Sequence, residues 1–141
     1  MTSAKGDFKV LLPRPTTTVT TTAPAEDGAI VQNDVVGTGV EGGGVKFNVI
    51  RLSRSSGPMP NTFEQMLQAF SARGWRVVRR DVKLSGLPAV ELHFAGPPQA
   101  MQRVLQHGNI VYELVVEFPP ERSEETSQLA QKFWESFMLT R

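Results

Sequence analysis

From Trp75 onward the sequence repeats one pattern: WRVVRRDVKL, SGLP, AVELHF, GPPQ, AMQRVLQHG and NIVYELVVEFPP. Short runs of β-branched, aromatic and charged residues alternate with breaks bearing Gly or Pro, which is how strands and turns follow one another. Breaks this short join antiparallel neighbours, because a parallel crossover needs about a dozen residues or more. The last run is the clearest. Ile110, Tyr112, Leu114, Val116 and Phe118 fall on one side of a strand, Glu113 and Glu117 on the other. One face of the sheet is therefore expected to be covered there and the opposite face to be at least partly wet.

The first half carries the same signals. Phe8, Val10 and Leu12 make a short first strand closed by Pro13 and Pro15. TTTVTTTA, residues 16 to 23, reads either as a Thr-rich stalk or as an exposed strand. The turn signal Ala25-Glu-Asp-Gly28 and the following AIVQNDVVG favour the strand, paired as a hairpin. EGGG, residues 41 to 44, then turns into VKFNVIRLS, where Val45, Phe47 and Val49 share a face.

Two segments have helical period instead. NTFEQMLQAFSARG places Thr62 and Gln65 as a capping box, Phe63, Met66, Leu67 and Phe70 as a stripe, and Gly74 just past the end. After Pro119-Pro120, Ser123 can cap a second helix, with Glu124 and Glu125 in a first turn whose dipole favours negative charge. Its apolar stripe is Leu129, Ala130, Phe133, Trp134, Phe137 and Met138. That stripe predicts a lid over the sheet, with Trp134 at its edge and partly exposed. The order of elements predicts a single α+β domain over residues 1–141, an antiparallel sheet of about six to eight strands covered by two α-helices, with residues 1–6 flexible.

At 141 residues such a domain can bury about two thirds of its unfolded surface around one core. A content of 40% hydrophobic and 21% charged residues argues against wholesale disorder and against a coiled coil. With no cysteine there is no disulfide and no thiolate chemistry. No apolar run approaches the roughly 18 residues of a membrane span, and MTSAKGDFKV lacks an apolar signal core. The chain is expected to be exported or periplasmic if a signal peptide has been removed, and cytoplasmic otherwise.

Reactive motifs fail on context. Gly37-Thr-Gly39-Val-Glu-Gly42 matches a dinucleotide fingerprint, but a phosphate loop must open a helix, and here more glycine and a strand follow. If GPPQ forms the turn, Ala95 lies opposite Ala100 and His107 opposite Pro88, about 16 Å from His93 at the usual strand rise, too far to share a metal. Glu91 and His93 share a face, which could orient the imidazole, yet no nucleophile motif accompanies them. Catalytic, cofactor and metal residues are therefore expected to be absent.

Charge marks the remaining candidate. Residues 1 to 110 hold 12 Lys/Arg against 8 Asp/Glu and the rest hold 3 against 6, for a net of +1. The positive excess gathers around Trp75 in Arg76, Arg79, Arg80 and neighbours. Such a strand could meet an anionic ligand or acidic partner, or, with an aromatic beside it, single-stranded nucleic acid by stacking plus phosphate contact. Alternation separates Arg79 from Arg76 and Arg80, and YELVVE offers acidic groups to complement either set. Arg76, Arg79, Arg80, Trp75 and Trp134 are the candidate binding residues.

KLSGLPAVELHF, GNIVYELVVEFPPE and the final FWESF resemble the C-terminal half of small bacterial PsbP-like domains, and GDFKVLLPRP with VIRLS is similar to their N-terminal half. That family is related in fold to the extrinsic PsbP protein of photosystem II and to a Ran-binding nuclear import factor. The resemblance covers nearly the whole chain through structural motifs, and implies a sheet with packed helices and a role in binding. It transfers no functional residue. Another branch of the fold comprises small cytoplasmic chaperones for hydrophobic segments of type VI secretion effectors. The reading that follows is a non-enzymatic interaction or scaffold domain, with another protein as partner, no cofactor, no nucleic acid and no membrane span. The alternatives are a chaperone of that kind, or an anionic-ligand module using residues 73–83.

Overall fold

The structure, a computed structural model, describes residues 6–12, 16–24, 28–38, 45–55, 68, 71–72, 76–95, 99–108 and 110–140. Strands of nine residues dominate them. After a two-residue β1 (Phe8–Lys9) come β2 (Thr16–Pro24), β3 (Ile30–Thr38) and β4 (Lys46–Arg54), then β5 (Arg76–Leu84), β6 (Leu87–Ala95), β7 (Gln99–His107) and β8 (Ile110–Phe118). A 3-10 turn (Pro120–Arg122), the helix α1 (Ser123–Ser136) and a two-residue β9 (Met138–Leu139) complete the chain.

The seven long strands form one antiparallel sheet in the order β2-β3-β4-β8-β7-β6-β5, and β1 pairs separately with β9. Two meanders thus meet at the β4–β8 pair. The chain leaves β4 at the middle of the sheet, re-enters at the far edge as β5, and returns strand by strand. The β5–β6 link is a two-residue turn. Ser85 at φ 53° and Gly86 at φ 77° both lie in the left-handed region, as a two-residue turn between right-twisted strands requires.

Burial follows from the register. On the front of the sheet Phe47, Val49, Tyr112, Leu114, Val116, Phe118, Met101 and Leu105 pack with Phe133, Trp134 and Phe137 into the main core. Phe133 meets Phe47 edge-on at 5.5 Å, and Phe137 lies 5.6 Å from Tyr112. The aromatic C-terminus is therefore a lid over the protein's own core. Burying each such ring stabilises the fold by about 2–3 kcal/mol relative to exposing it.

Several expectations are corrected. The fold is mostly β, and among the described residues a single α-helix covers the sheet rather than two. The helix expected over residues 62–74 lies outside the described residues, except that Gln68, Ser71 and Ala72 are helical. A helix with its side chains is about 10 Å across, roughly two strand spacings, so α1 cannot cover the front of seven strands. Its stripe also differs. Thr126, Ala130, Phe133 and Trp134 are buried, whereas Leu129 is exposed and Met138 has left the helix for β9. Ser123 is the first helical residue, preceded by Arg122, with no side-chain cap bond.

The back of the sheet is not wet at its centre. Val90, Leu92, Phe94, Val104 and Val111 form a second apolar cluster there, joined by Leu52 and Val77. Glu113 lies beside them on the same face and is buried. The centre of β8 is consequently closed on both sides.

Candidate functional site

At one end of the sheet α1 leaves part of the front of β5 and β6 open around Val78, Arg80 and His93. Adjacent strands there align Arg80 with Glu91 and Glu91 with Arg103, so one carboxylate stands between two guanidinium groups on a single rung. Alternation adds His93 two residues along from Glu91 on the same face. Glu91 Oε1 accepts from Arg103 Nε at 2.9 Å, and its Oε2 meets Arg80 Nη2 at 2.9 Å and His93 Nε2 at 2.8 Å. Burial works to raise the Glu91 carboxyl, but hydrogen bonds from His93 and Arg103 and the charges of Arg103 and Arg80 outweigh it. The carboxyl is held below its ordinary range, as expected for a well-paired acid.

Arg103 lies beneath the site, buried. Its guanidinium lies 4.6 Å from the centre of the Trp134 ring, and its Nη1 donates to the Lys83 carbonyl at 3.3 Å. A desolvated cation over an indole face is an attractive pairing. The indole is fixed in turn, with Nε1–H donating to the Leu114 carbonyl at 3.1 Å. Trp134 is only 4% exposed, so the partly exposed position expected of it is corrected. The ring serves the site from beneath.

Above this floor, between α1 and the strands, runs a cavity of about 420 Å³ lined by Val78, Arg80, His93, Met101, Gln131 and Trp134 among others. A second, of about 270 Å³, shares Val78, His93, Met101 and Ser127 with it and continues toward Arg76 and Phe118. Together they make one groove. Its strand wall is cationic and its helix wall is neutral: Ser123, Ser127 and Gln131 recur every four residues, so one face of α1 presents them. Met101, Val78 and the indole supply apolar surface between the walls.

The candidate residues divide. Arg76 and Arg80 line the groove, with Trp134 as floor. Arg79 is on the back face, paired in register with Leu92. Trp75 lies outside the described residues. The acidic complement comes from Glu91 on the neighbouring β6 and not from YELVVE, because β8 is three strands away from β5. His107 sits at the far end of β7, paired with Ile110, six residues from the Met101 that opposes His93. That is about 20 Å at strand rise.

Glu91, His93 and Arg103 were missed as a set for a specific reason. The sequence suggests GPPQ as a four-residue turn, whereas Gln99 already belongs to β7 and Ala100 pairs with Phe94. The one-residue slip puts Arg103 opposite Leu92 instead of Glu91, and a slip of one reverses every facing side chain. A three-residue GPP break would have revealed the rung.

The groove has the parts for holding an anion. Arg76 and Arg80 line it with two positive charges against the one carboxylate of Glu91, which the buried Arg103 already pairs from beneath, and Arg80's side chain is 66% and His93's 45% exposed. Ser127 Oγ donates to the Ser123 carbonyl at 3.1 Å, and His93 Nε2 is engaged by Glu91. No helix is long and apolar enough to cross a membrane among the described residues. No family model matches the chain, and no curated protein does either.

Proposed function

We propose that the protein is a binding module whose groove takes a small amphiphilic anion, an apolar body closed at one end by a carboxylate or phosphate. The observation that carries this reading is the excess of guanidinium over carboxylate along one wall of a groove with an apolar floor. Glu91 neutralises part of that charge and fixes the geometry of the rest, leaving most of the exposed Arg80 head and the whole of Arg76 to meet a ligand. Arg donors are suited to such groups because the planar guanidinium can bond two oxygens at once. The larger cavity falls within the range of about 300–1,000 Å³ typical of ligand sites. Binding without catalysis is also what the resemblance to PsbP-like domains implies.

The test is calorimetric titration with decanoate, decyltrimethylammonium and decanol. Decanoate should bind saturably and more tightly than either of the others, moving the amide resonances of Met101, His93 and Ser127. The double variant Arg76→Glu/Arg80→Glu should weaken decanoate about tenfold or more, a loss of about 1.4 kcal/mol. Equal binding of the cationic and anionic amphiphiles, or a variant that binds decanoate unchanged, would refute the proposal.

A further inference from the structure

The two edges of the seven-stranded sheet are built differently. β5, at one edge, carries Arg76, Arg79, Arg80, Asp81 and Lys83 among its nine residues. Charges of that density block the addition of another strand, since a like-charged neighbour would have to be desolvated beside them. β2, at the other edge, has no charged residue at all, and residues 17–24 are exposed on both faces. Among the described residues no strand pairs with its outer row of backbone donors and acceptors.

The sequence of β2 states what could pair with it. Thr16-Thr-Thr-Val19-Thr-Thr-Thr22 reads identically in both directions about Val19. In an antiparallel pair related by a twofold axis through Val19, Thr16 faces the partner's Thr22, Thr17 the partner's Thr21, Thr18 the partner's Thr20, and Val19 the partner's Val19. Each rung joins like to like, and Thr–Thr and β-branched pairs are among the favourable cross-strand combinations. Val19, apolar and 57% exposed in the single chain, would gain a neighbour. Pro15 and Pro24 flank the palindrome, and because proline has no N–H to donate they confine the pairing to it.

We infer that β2 is the interface of a symmetric dimer, joined edge to edge with a second copy of this chain into a continuous fourteen-stranded sheet. A twofold contact of this kind is closed, because each copy uses its one open edge and the charged β5 edges remain at the outside. The inference is independent of the groove, which lies at the opposite end of the sheet, so the two readings can fail separately.

The chain has no cysteine, which makes the register directly testable. In light scattering the protein should have twice its 15.5 kDa mass, and Val19→Lys, which sets two ammonium groups face to face, should return it to 15.5 kDa with an unchanged circular dichroism spectrum. Under mild oxidation Val19→Cys should cross-link to itself. Thr17→Cys and Thr21→Cys should cross-link to each other when mixed and neither to itself. In this register two copies of residue 17 stand about 13 Å apart, beyond the roughly 7 Å Cα separation a disulfide spans. A native protein that stays monomeric as concentration rises overturns the inference. So does a Val19→Lys variant that remains dimeric, a Thr17→Cys variant that links to itself as readily as Val19→Cys, or a series of species larger than the dimer.

Discussion

Glu113 projects from the middle of β8 into the apolar back of the sheet, opposite Ile50 on β4 and Val104 on β7, and is 7% exposed. Burial pushes its carboxyl from 4.5 up to about 7. In the unfolded chain the group ionises near 4.5, so between pH 4.5 and 7 the folded state binds more protons than the unfolded one and stability falls as pH rises. The penalty is absent below that window and constant above it, on the order of 3 kcal/mol in full. Glu113→Gln, which cannot ionise, should therefore gain on the native protein by that amount between pH 4.5 and 7.5 in urea unfolding; parallel stability curves would show the carboxyl to be solvated after all. Alternation alone could not reveal this residue, because a Glu between the inward-facing Tyr112 and Leu114 reads as facing water unless the second apolar cluster is known. Thr126 poses the same problem on α1. It is fully buried, and its hydroxyl has no hydrogen-bond partner among the described residues. Replacing it with the isosteric valine removes an unpaired polar atom from the core, and Thr126→Val should raise the urea-unfolding free energy by about 1 kcal/mol.

At the scale of elements, the two hairpins β5–β6 and β6–β7 are tied by more than their ladders. Glu91 sits on the middle strand and holds a guanidinium from each neighbour, one at the surface and one, Arg103, with a side chain only 10% exposed. Exposed pairs such as Arg80 with Glu91 contribute little, whereas an inward-facing cation left without its carboxylate is costly. Glu91→Ala should accordingly destabilise the protein by about 3 kcal/mol, and most of that loss should vanish in the background of Arg103→Met, where no buried charge remains to be compensated. Additive losses in the double variant would mean that the rung is a surface feature. The strands that carry these residues were legible in the sequence, because Gly and Pro breaks and period-two alternation mark them plainly. The rung was not, since it depends on whether one residue, Gln99, belongs to the turn or to the strand. Composition fixes the element; only register brings Glu91 and Arg103 together.

Across the whole molecule, the lid over the core was readable from the spacing of Phe133 and Phe137, but the device that shuts it was not. Two strands of two residues each, β1 and β9, pair near the chain ends with Phe8 opposite Leu139. Nothing in so short a ladder could hold itself, given that isolated hairpins several times longer are marginal in water. What fixes it is side-chain anchoring. Phe8 is 2% exposed, 5.7 Å from the Tyr112 ring and 5.5 Å from that of Phe137, so it bridges the central strand and the end of the helix. Asp7 beside it accepts from Arg51 Nε at 2.7 Å and from the Tyr112 hydroxyl at 2.5 Å. Burial and then the Asp7 carboxylate push the Tyr112 phenol above its ordinary value, so it keeps the proton it donates to Asp7 further into alkaline solution. Backbone and hydroxyl bonds from Thr140 to Asp7 and Gly6 complete the clasp. If these contacts were a local ornament, losing them would fray the ends and leave the sheet intact. Because Phe8 instead belongs to the main core, Phe8→Ala should lower global stability by about 3–5 kcal/mol, the usual cost of emptying a buried aromatic site. Hydrogen exchange separates the two cases: with the clasp integral to the core, the amides of β8 lose protection in the variant along with those of β9, and the urea midpoint falls. Loss of protection confined to residues 6–12 and 137–140, with the midpoint unmoved, would reduce β1 and β9 to a dispensable flap.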